Sequence, residues 1–201
     1  NECVSQQIPV VGINRQPDIP FVDYVCSDNV CGATLAAGQL VGNGCRRFGL
    51  LNTSHSTWAG RMRGEAFYQA LSTLGVDITR DLQAFIAPTE GYDGGFQAAL
   101  SADKHPEGIF CANAQLACGF LDGMRQRGRH APDDFQLIGF DNTPQTAQYS
   151  YQLTTLHQDV AEISRQALTR LLERAEDPQQ PSRTTWVDVQ LIHRRTSPLS
   201  Q

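Results

Sequence analysis

Lysine is nearly missing from this sequence: Lys104 is its one lysine, and arginine supplies 15 of its 16 basic residues. Against 21 acidic residues the formal net charge is -5, so there is no basic tail or stripe of the kind that grips nucleic acid. Long apolar runs are missing too. No stretch approaches the ~18 residues that a membrane helix needs, and the Asn1-Glu2-Cys3-Val4 start lacks the basic-then-apolar order of a secretion signal. These absences predict a cytoplasmic chain, neither embedded in a membrane nor exported. The six cysteines (Cys3, Cys26, Cys31, Cys45, Cys111, Cys118) contain no C-x-x-C pair. No histidine near Cys26 and Cys31, or near Cys111 and Cys118, completes a zinc set. They read as structural thiols, and neither metal nor cofactor is expected.

The pairings of a hydrolase are also wanting. Ser27-Asp28-Asn29 and Ser101-Ala102-Asp103-Lys104 match fragments of the penicillin-recognising serine hydrolases, but in the reverse order. A single lysine, followed by His105, leaves no Lys-Thr-Gly. The five histidines (His55, His105, His130, His157, His193) have no Gly-x-Ser-x-Gly partner. With no paired nucleophile and base, the chain is not expected to be an enzyme.

What is present is an ordinary globular composition: 201 residues, 40% hydrophobic and 18% charged, with 17 Gly and 10 Pro. Such a chain buries a core without staples, as one large domain or two small lobes. Short apolar runs at 10–13, 48–51, 84–86, 109–112, 137–140 and 187–192 read as buried strands. A further strand fits 22–26. Amphipathic stretches at 29–42, 58–74, 93–102, 115–127 and 159–176 read as helices, the first two stopped by Asn43-Gly44 and Gly75. Alternation of this kind predicts an α/β fold built on a doubly wound, mainly parallel sheet. Residues 2–7 look like the end of a helix, so the chain reads as starting inside a structural unit.

Ligands of open parallel sheets bind beyond the carboxyl ends of the strands, which directs attention to the residues after each apolar run. These are Asn14-Arg15, Asn113 and Asp141-Asn142, with Arg61 and Arg63 opening the helix after 48–51. Amides, guanidiniums and an ionised acceptor suit a polyhydroxylated ligand, whose hydroxyls both donate and accept. Asn and Asp after strands are also turn formers, so position alone leaves both roles open.

Seven segments, taken in order, carry a resemblance. They are Ile8-Pro9-Val10-Val11-Gly12-Ile13-Asn14-Arg15, Ser27-Asp28-Asn29, Arg61-Met62-Arg63 with Phe67, Cys111-Ala112-Asn113, Ile138-Gly139-Phe140-Asp141-Asn142-Thr143, Leu153-Thr154-Thr155-Leu156-His157-Gln158-Asp159 and Arg194-Arg195-Thr196-Ser197. In this order they resemble the lactose/galactose-repressor family through almost the whole chain. The chain looks like the effector-binding core of such a bacterial transcription regulator, whose periplasmic-binding-protein-like fold is shared with sugar-transport proteins. The resemblance implies two lobes joined by three crossovers, a small polar effector such as a sugar, and a homodimer. It assigns 1–26 and 159–182 to a remnant of the N-terminal lobe, and 27–158 and 183–197 to the C-terminal lobe. The helix-turn-helix headpiece that meets operator DNA is not among these residues. Carried over residue by residue, the ligand positions are Asn14, Arg15, Arg63, Asn113, Asp141 and Gln158. A periplasmic sugar-binding protein of a transport system is the alternative, opposed by the cysteines, which are unusual in an oxidising compartment.

Two departures bear on the ligand. Asn113-Ala114 stands where the family usually has Asn-Asp, and Thr89-Glu90-Gly91-Tyr92 stands where an aromatic residue often stacks on the sugar. Tyr92 is one candidate platform and Trp58 another, Trp58 reading equally as a helix anchor. Leu116, Phe120 and Leu121 on the helix at 115–127 fit either a dimer contact or the lobe's own core. On the helix at 159–176 the stripe Val160, Ile163, Ala167, Leu168, Leu171 and Leu172 is expected to seek cover, by self-association where its own sheet is too small.

Overall fold

The computed structural model describes residues 8–102 and 106–199, together with Cys3 and Gln6. Lys104 lies outside them, as does most of the helix end read at 2–7. The strands, in chain order, are β1 (Val11–Ile13), β2 (Asp23–Ser27), β3 (Phe48–Thr53), β4 (Leu82–Ala87), β5 (Gly108–Cys111), β6 (Gln136–Asp141), β7 (Thr154–Gln158), β8 (Thr184–Val187) and β9 (Val189–Ile192). The helices are α1 (Asn29–Gly42), α2 (Trp58–Thr73), α3 (Ile78–Asp81), α4 (Gly91–Leu100), α5 (Ala114–Gln126) and α6 (Val160–Glu176), with a 3-10 turn at Pro144–Ala147. Every helix read from the sequence is present within two residues at each end. The strand at 154–158, residues 184–186 of β8, the single turn α3 and the 3-10 turn were not read.

The chain forms two compact units, Asn1–Asn29 with Gln158–Val189 and Val30–His157 with Gln190–Gln201. The sequence reading places 27–29, 158 and 183–189 in the larger lobe. The structure assigns all of them to the smaller unit. The cause is pairing: the run 187–192, read as one strand, breaks at Asp188 into β8 and β9, which belong to different sheets. β8 lies parallel beside β2, with Val25 opposite Thr185 and Ser27 opposite Val187.

In the smaller unit the sheet order is β1-β2-β8, all parallel. Helix α6 starts at Asp159, whose carboxylate accepts from Glu162 N at 2.9 Å, an N-cap that satisfies one of the first-turn amides. Its Ile163 and Ala167 pack on Val25 and Val187, with Val11 at the edge. Only part of the predicted stripe is covered: Val160, Leu168 and Leu172 remain 58–68% exposed. Beneath α6 a buried ion pair joins Arg174 Nη2 to Asp23 Oδ1 at 2.9 Å.

In the larger unit the sheet order is β4-β3-β5-β6-β7-β9, and β4 through β7 run parallel. Side chains alternate between the faces of a strand, and helices cover both. Leu51, Ile109, Cys111 and Leu137 share a core with α4 and α5. Their alternates Leu50, Phe110 and Ile138 are buried on the opposite face, where Phe67 of α2 meets Phe110 at 5.0 Å between ring centroids. Leu116, Phe120 and Leu121 are buried in the first of these cores, which decides against a dimer contact through them. Helices α4 and α5 touch backbone to backbone: a Cβ on Gly119 would lie 1.9 Å from Tyr92 O, and one on Gly95 2.1 Å from Leu116 O.

Candidate functional site

Parallel strands bring their carboxyl ends to one edge, so in the larger unit the residues after β3, β5 and β6 gather without being close in sequence. Arg63 reaches this edge from the second turn of α2, which starts at the Thr57 cap where Thr57 Oγ1 accepts from Gly60 N at 3.2 Å. Its guanidinium is buried, lies 3.5 Å from the centre of the Phe140 ring and donates to Ala112 O at 2.7 Å and to Asp141 Oδ1 at 3.3 Å. Burial pushes the Arg63 pKa down, while Asp141 pushes it back up. The cation is therefore stacked on a ring and held by two hydrogen bonds.

Asp141 completes the group. Its Oδ2 accepts from Ala114 N at 3.5 Å, and its side chain keeps 29% of its surface in solvent. Asp141 and Asn142 both take left-handed backbone, at φ 93° and 49°, and this turns the chain as it leaves β6. Asn113 is the N-cap of α5, its Oδ1 accepting from Leu116 N at 2.9 Å. Its amide nitrogen, a donor only, takes no part in that bond. Asn113 thus serves as a cap, one of the two roles left open by the sequence. Ala114, in place of the family's usual acid, contributes only its backbone N–H.

Further along the same edge, Thr53 Oγ1 donates to Glu90 Oε1 at 3.0 Å, a carboxylate that sequence reading did not select. Its signal was its place just after β4. Tyr92 is held elsewhere: its hydroxyl donates to Asp122 Oδ2 at 2.8 Å and its ring stacks on Phe96, one turn into α4. Trp58 stands half-buried as the first residue of α2.

In the smaller unit Asn14, Ser27 and Gln158 meet at the carboxyl ends of β1 and β2. Asn14 takes φ 48°; its Oδ1 accepts from Ser27 N at 2.8 Å and its Nδ2 donates to Gln158 Oε1 at 3.3 Å. Ser27 Oγ donates to the same oxygen at 2.6 Å. Gln158 Oε1 therefore accepts from two donors, one from Asn14 and one from Ser27. Arg15 is exposed, its carbonyl accepting from the Cys26 thiol. Of the sequence-selected residues, Arg63, Asn113 and Asp141 come together in one unit, and Asn14 and Gln158, with Arg15 adjoining, in the other. Among the described residues no cluster of His, Cys, Asp or Glu could hold a metal ion, and no helix is long and apolar enough to cross a membrane.

Residues 37–197 match the model of the periplasmic binding protein-like domain. The HTH-type transcriptional repressor PurR of Mannheimia succiniciproducens is 28% identical over 191 residues, which span 94% of this chain and 57% of that repressor. Among solved structures, a LacI family transcriptional regulator from Enterococcus faecium with bound ribose superposes with a TM-score of 0.89 at 24% identity, over 99% of this chain and 74% of that one. A second, from Enterococcus faecalis and also with bound ribose, gives 0.85 at 26% identity over 99% and 72%.

Proposed function

The chain belongs to the periplasmic binding protein-like domain family, as the effector-binding core of a lactose/galactose-type repressor, and from that premise we propose that it senses a small polyhydroxylated molecule, a sugar, for a bacterial transcription regulator. Its matched relatives are repressors and not enzymes. The observation that carries the reading is the Arg63–Asp141 pair at the carboxyl edge of the larger sheet. A carboxylate fixed by a stacked guanidinium, with solvent still reaching it, is a preformed acceptor for ligand hydroxyls.

In the larger unit the effector is held by Asp141 accepting, Asn113 donating through Nδ2, and Arg63 both anchoring Asp141 and offering a further N–H. Asn14, Arg15 and Gln158 are the ligand residues of the smaller unit, which we take as part of the N-terminal lobe. The chain spans 57% of the repressor it matches. Operator contact is assigned to a helix-turn-helix headpiece, not to the 201 residues of net charge -5. The functional form is a homodimer in the cytoplasm, in which effector binding shifts the population between two states of the regulator.

Differential scanning fluorimetry against a panel of neutral monosaccharides, disaccharides, nucleosides and sugar phosphates tests this reading. A ligand present at ~100 times its Kd raises the unfolding free energy by ~2.7 kcal/mol, so a neutral sugar that shifts the melting temperature upward is the expected outcome. A flat response to every sugar, with a shift from nucleosides alone, contradicts it.

A further inference from the structure

Asp141 and Asn142 are consecutive non-glycine residues in left-handed backbone, a conformation that persists only where the surroundings over-determine it. Asn142 N donates to Thr155 Oγ1 at 3.4 Å. Its side chain is held more tightly. Arg194, two residues past β9, donates from Nη1 to Leu153 O at 2.8 Å and to Thr146 Oγ1 at 3.3 Å, and from Nη2 to Asn142 Oδ1 at 2.7 Å. A guanidinium has no acceptor, so it fixes which end of the Asn142 amide carries oxygen. The amide nitrogen must then face His157 Nδ1, 3.1 Å away. An amide N–H only donates, so His157 Nδ1 accepts, and the ring carries its proton on Nε2. His157 is the residue paired with Asp141 between β6 and β7. The bonds thus run from Arg194 through Asn142 to His157 and back, by the sheet ladder, to Asp141.

We propose that Arg194 is a positioning residue for Asp141: acting through Asn142 and His157, it locks the left-handed exit of β6 that presents the Asp141 carboxylate beside Arg63. The inference rests on the ligand role given to Asp141 above and extends it to residues set behind that carboxylate. Truncating Arg194 releases the Asn142 amide to turn over. His157 then samples both tautomers, and Asp141 loses its fixed direction.

The test is nitrogen NMR of the full 201-residue chain, wild type against Arg194→Gln and Asn142→Asp. It reads the His157 ring nitrogens, the Arg63 side-chain N–H and the Ala114 backbone N–H that donates to Asp141. In the wild type His157 Nδ1 is expected to be unprotonated. Asn142→Asp, whose oxygens only accept, turns Nδ1 into a protonated donor. Arg194→Gln gives both tautomers, and the Ala114 and Arg63 signals move in both variants. A wild-type Nδ1 that bears the proton overturns the proposal. So does an Arg194→Gln protein that melts earlier while its His157 tautomer and Ala114 signal stay put, the pattern of a merely structural role. If Arg194→Gln does not fold, Asn142→Asp carries the same readout. On the same samples D-ribose titration is expected to show several-fold weaker binding in the variants, and undiminished affinity overturns the link to the ligand. A wild type that binds no sugar while the nitrogen signals behave as expected counts against the proposed function and for the lock.

Discussion

Asp122 is a carboxylate that two phenols share, Tyr92 and Tyr151 each donating to its Oδ2 at 2.8 Å, while Arg125 pairs with Oδ1 at 2.7 Å. Next to it lies the Cys118 thiol, pushed up to about 12 by burial and then by Asp122. Cys45 is pushed up to about 11 by burial and then by Glu107, and Tyr92 to about 12 by burial and then by Asp122. Each folded value lies above the unfolded one, so the fold prefers the protonated form. That contribution is complete below about pH 9, the ordinary thiol range, and is lost as pH rises through 11 and 12. Urea midpoints measured in reductant are expected to hold steady up to pH 9 and then fall, each buried thiol adding up to ~1.4 kcal/mol per pH unit. Cys118→Ala flattens the decline. A midpoint unchanged between pH 9 and 11 would show that these thiols ionise freely in the fold.

A second prediction at this scale concerns Arg174 and Asp23, side chains with 2% and 0% of their surface exposed. Arg174→Met leaves the carboxylate buried without its cation, which typically costs ~3 to 5 kcal/mol. Chemical denaturation should show the loss, and a variant within ~1 kcal/mol of wild type contradicts the pairing energetics. Neither this pair nor the stacking of Arg63 on Phe140 was legible in the sequence, because each joins residues far apart in the chain. Asn113 and Asp141 were legible, since a polar residue just past a buried strand sits at a sheet edge whatever the tertiary packing.

At the scale of elements, helix periodicity and its stops were readable, as Gly44 at φ 84° and Gly75 at φ 83° confirm. Strand β7 was not. Its Thr154 and Thr155 are fully buried, and Thr154 is tolerated because its hydroxyl exchanges bonds with Arg194 and Ser197 of the final segment. A Thr-rich run carries no apolar signal until those distant partners are known. The division of 187–192 between two sheets was hidden for the same reason: alternation tells which face a residue takes, not which sheet. The glycines of α4 and α5 give a prediction here. Gly119→Ala drives a methyl into Tyr92 O, against backbone that has nowhere to move, and is expected to lose ~1 to 3 kcal/mol or more. Gly38→Ala, whose Cβ meets nothing within 4 Å, is the control and should be neutral or stabilising. Equal thermal stability of both variants would contradict the close helix contact.

For the whole molecule, the exposed Val160, Leu168 and Leu172 set a solution property. Burying one Leu is worth ~1.5 to 3 kcal/mol, so a row of them left in water favours association. Light scattering at tens of micromolar is expected to give a mass above that of a dimer of the 22.1 kDa chain, falling when Leu168 and Leu172 are both changed to Lys. A clean monomer would show that the row tolerates water.

The central claim, that Asp141 fixed by Arg63 is the acceptor for effector hydroxyls, is tested most directly by calorimetry. The sugar that shifts the melting temperature is titrated into wild type and into Asp141→Asn, which keeps the side chain's shape and a residue type that tolerates φ 93°. Hydrogen bonds to a charged group are worth ~1.5 to 3 kcal/mol, so affinity is expected to fall by roughly 10- to 150-fold while the variant stays folded. An Asp141→Asn protein that binds the sugar as tightly as wild type would contradict the account.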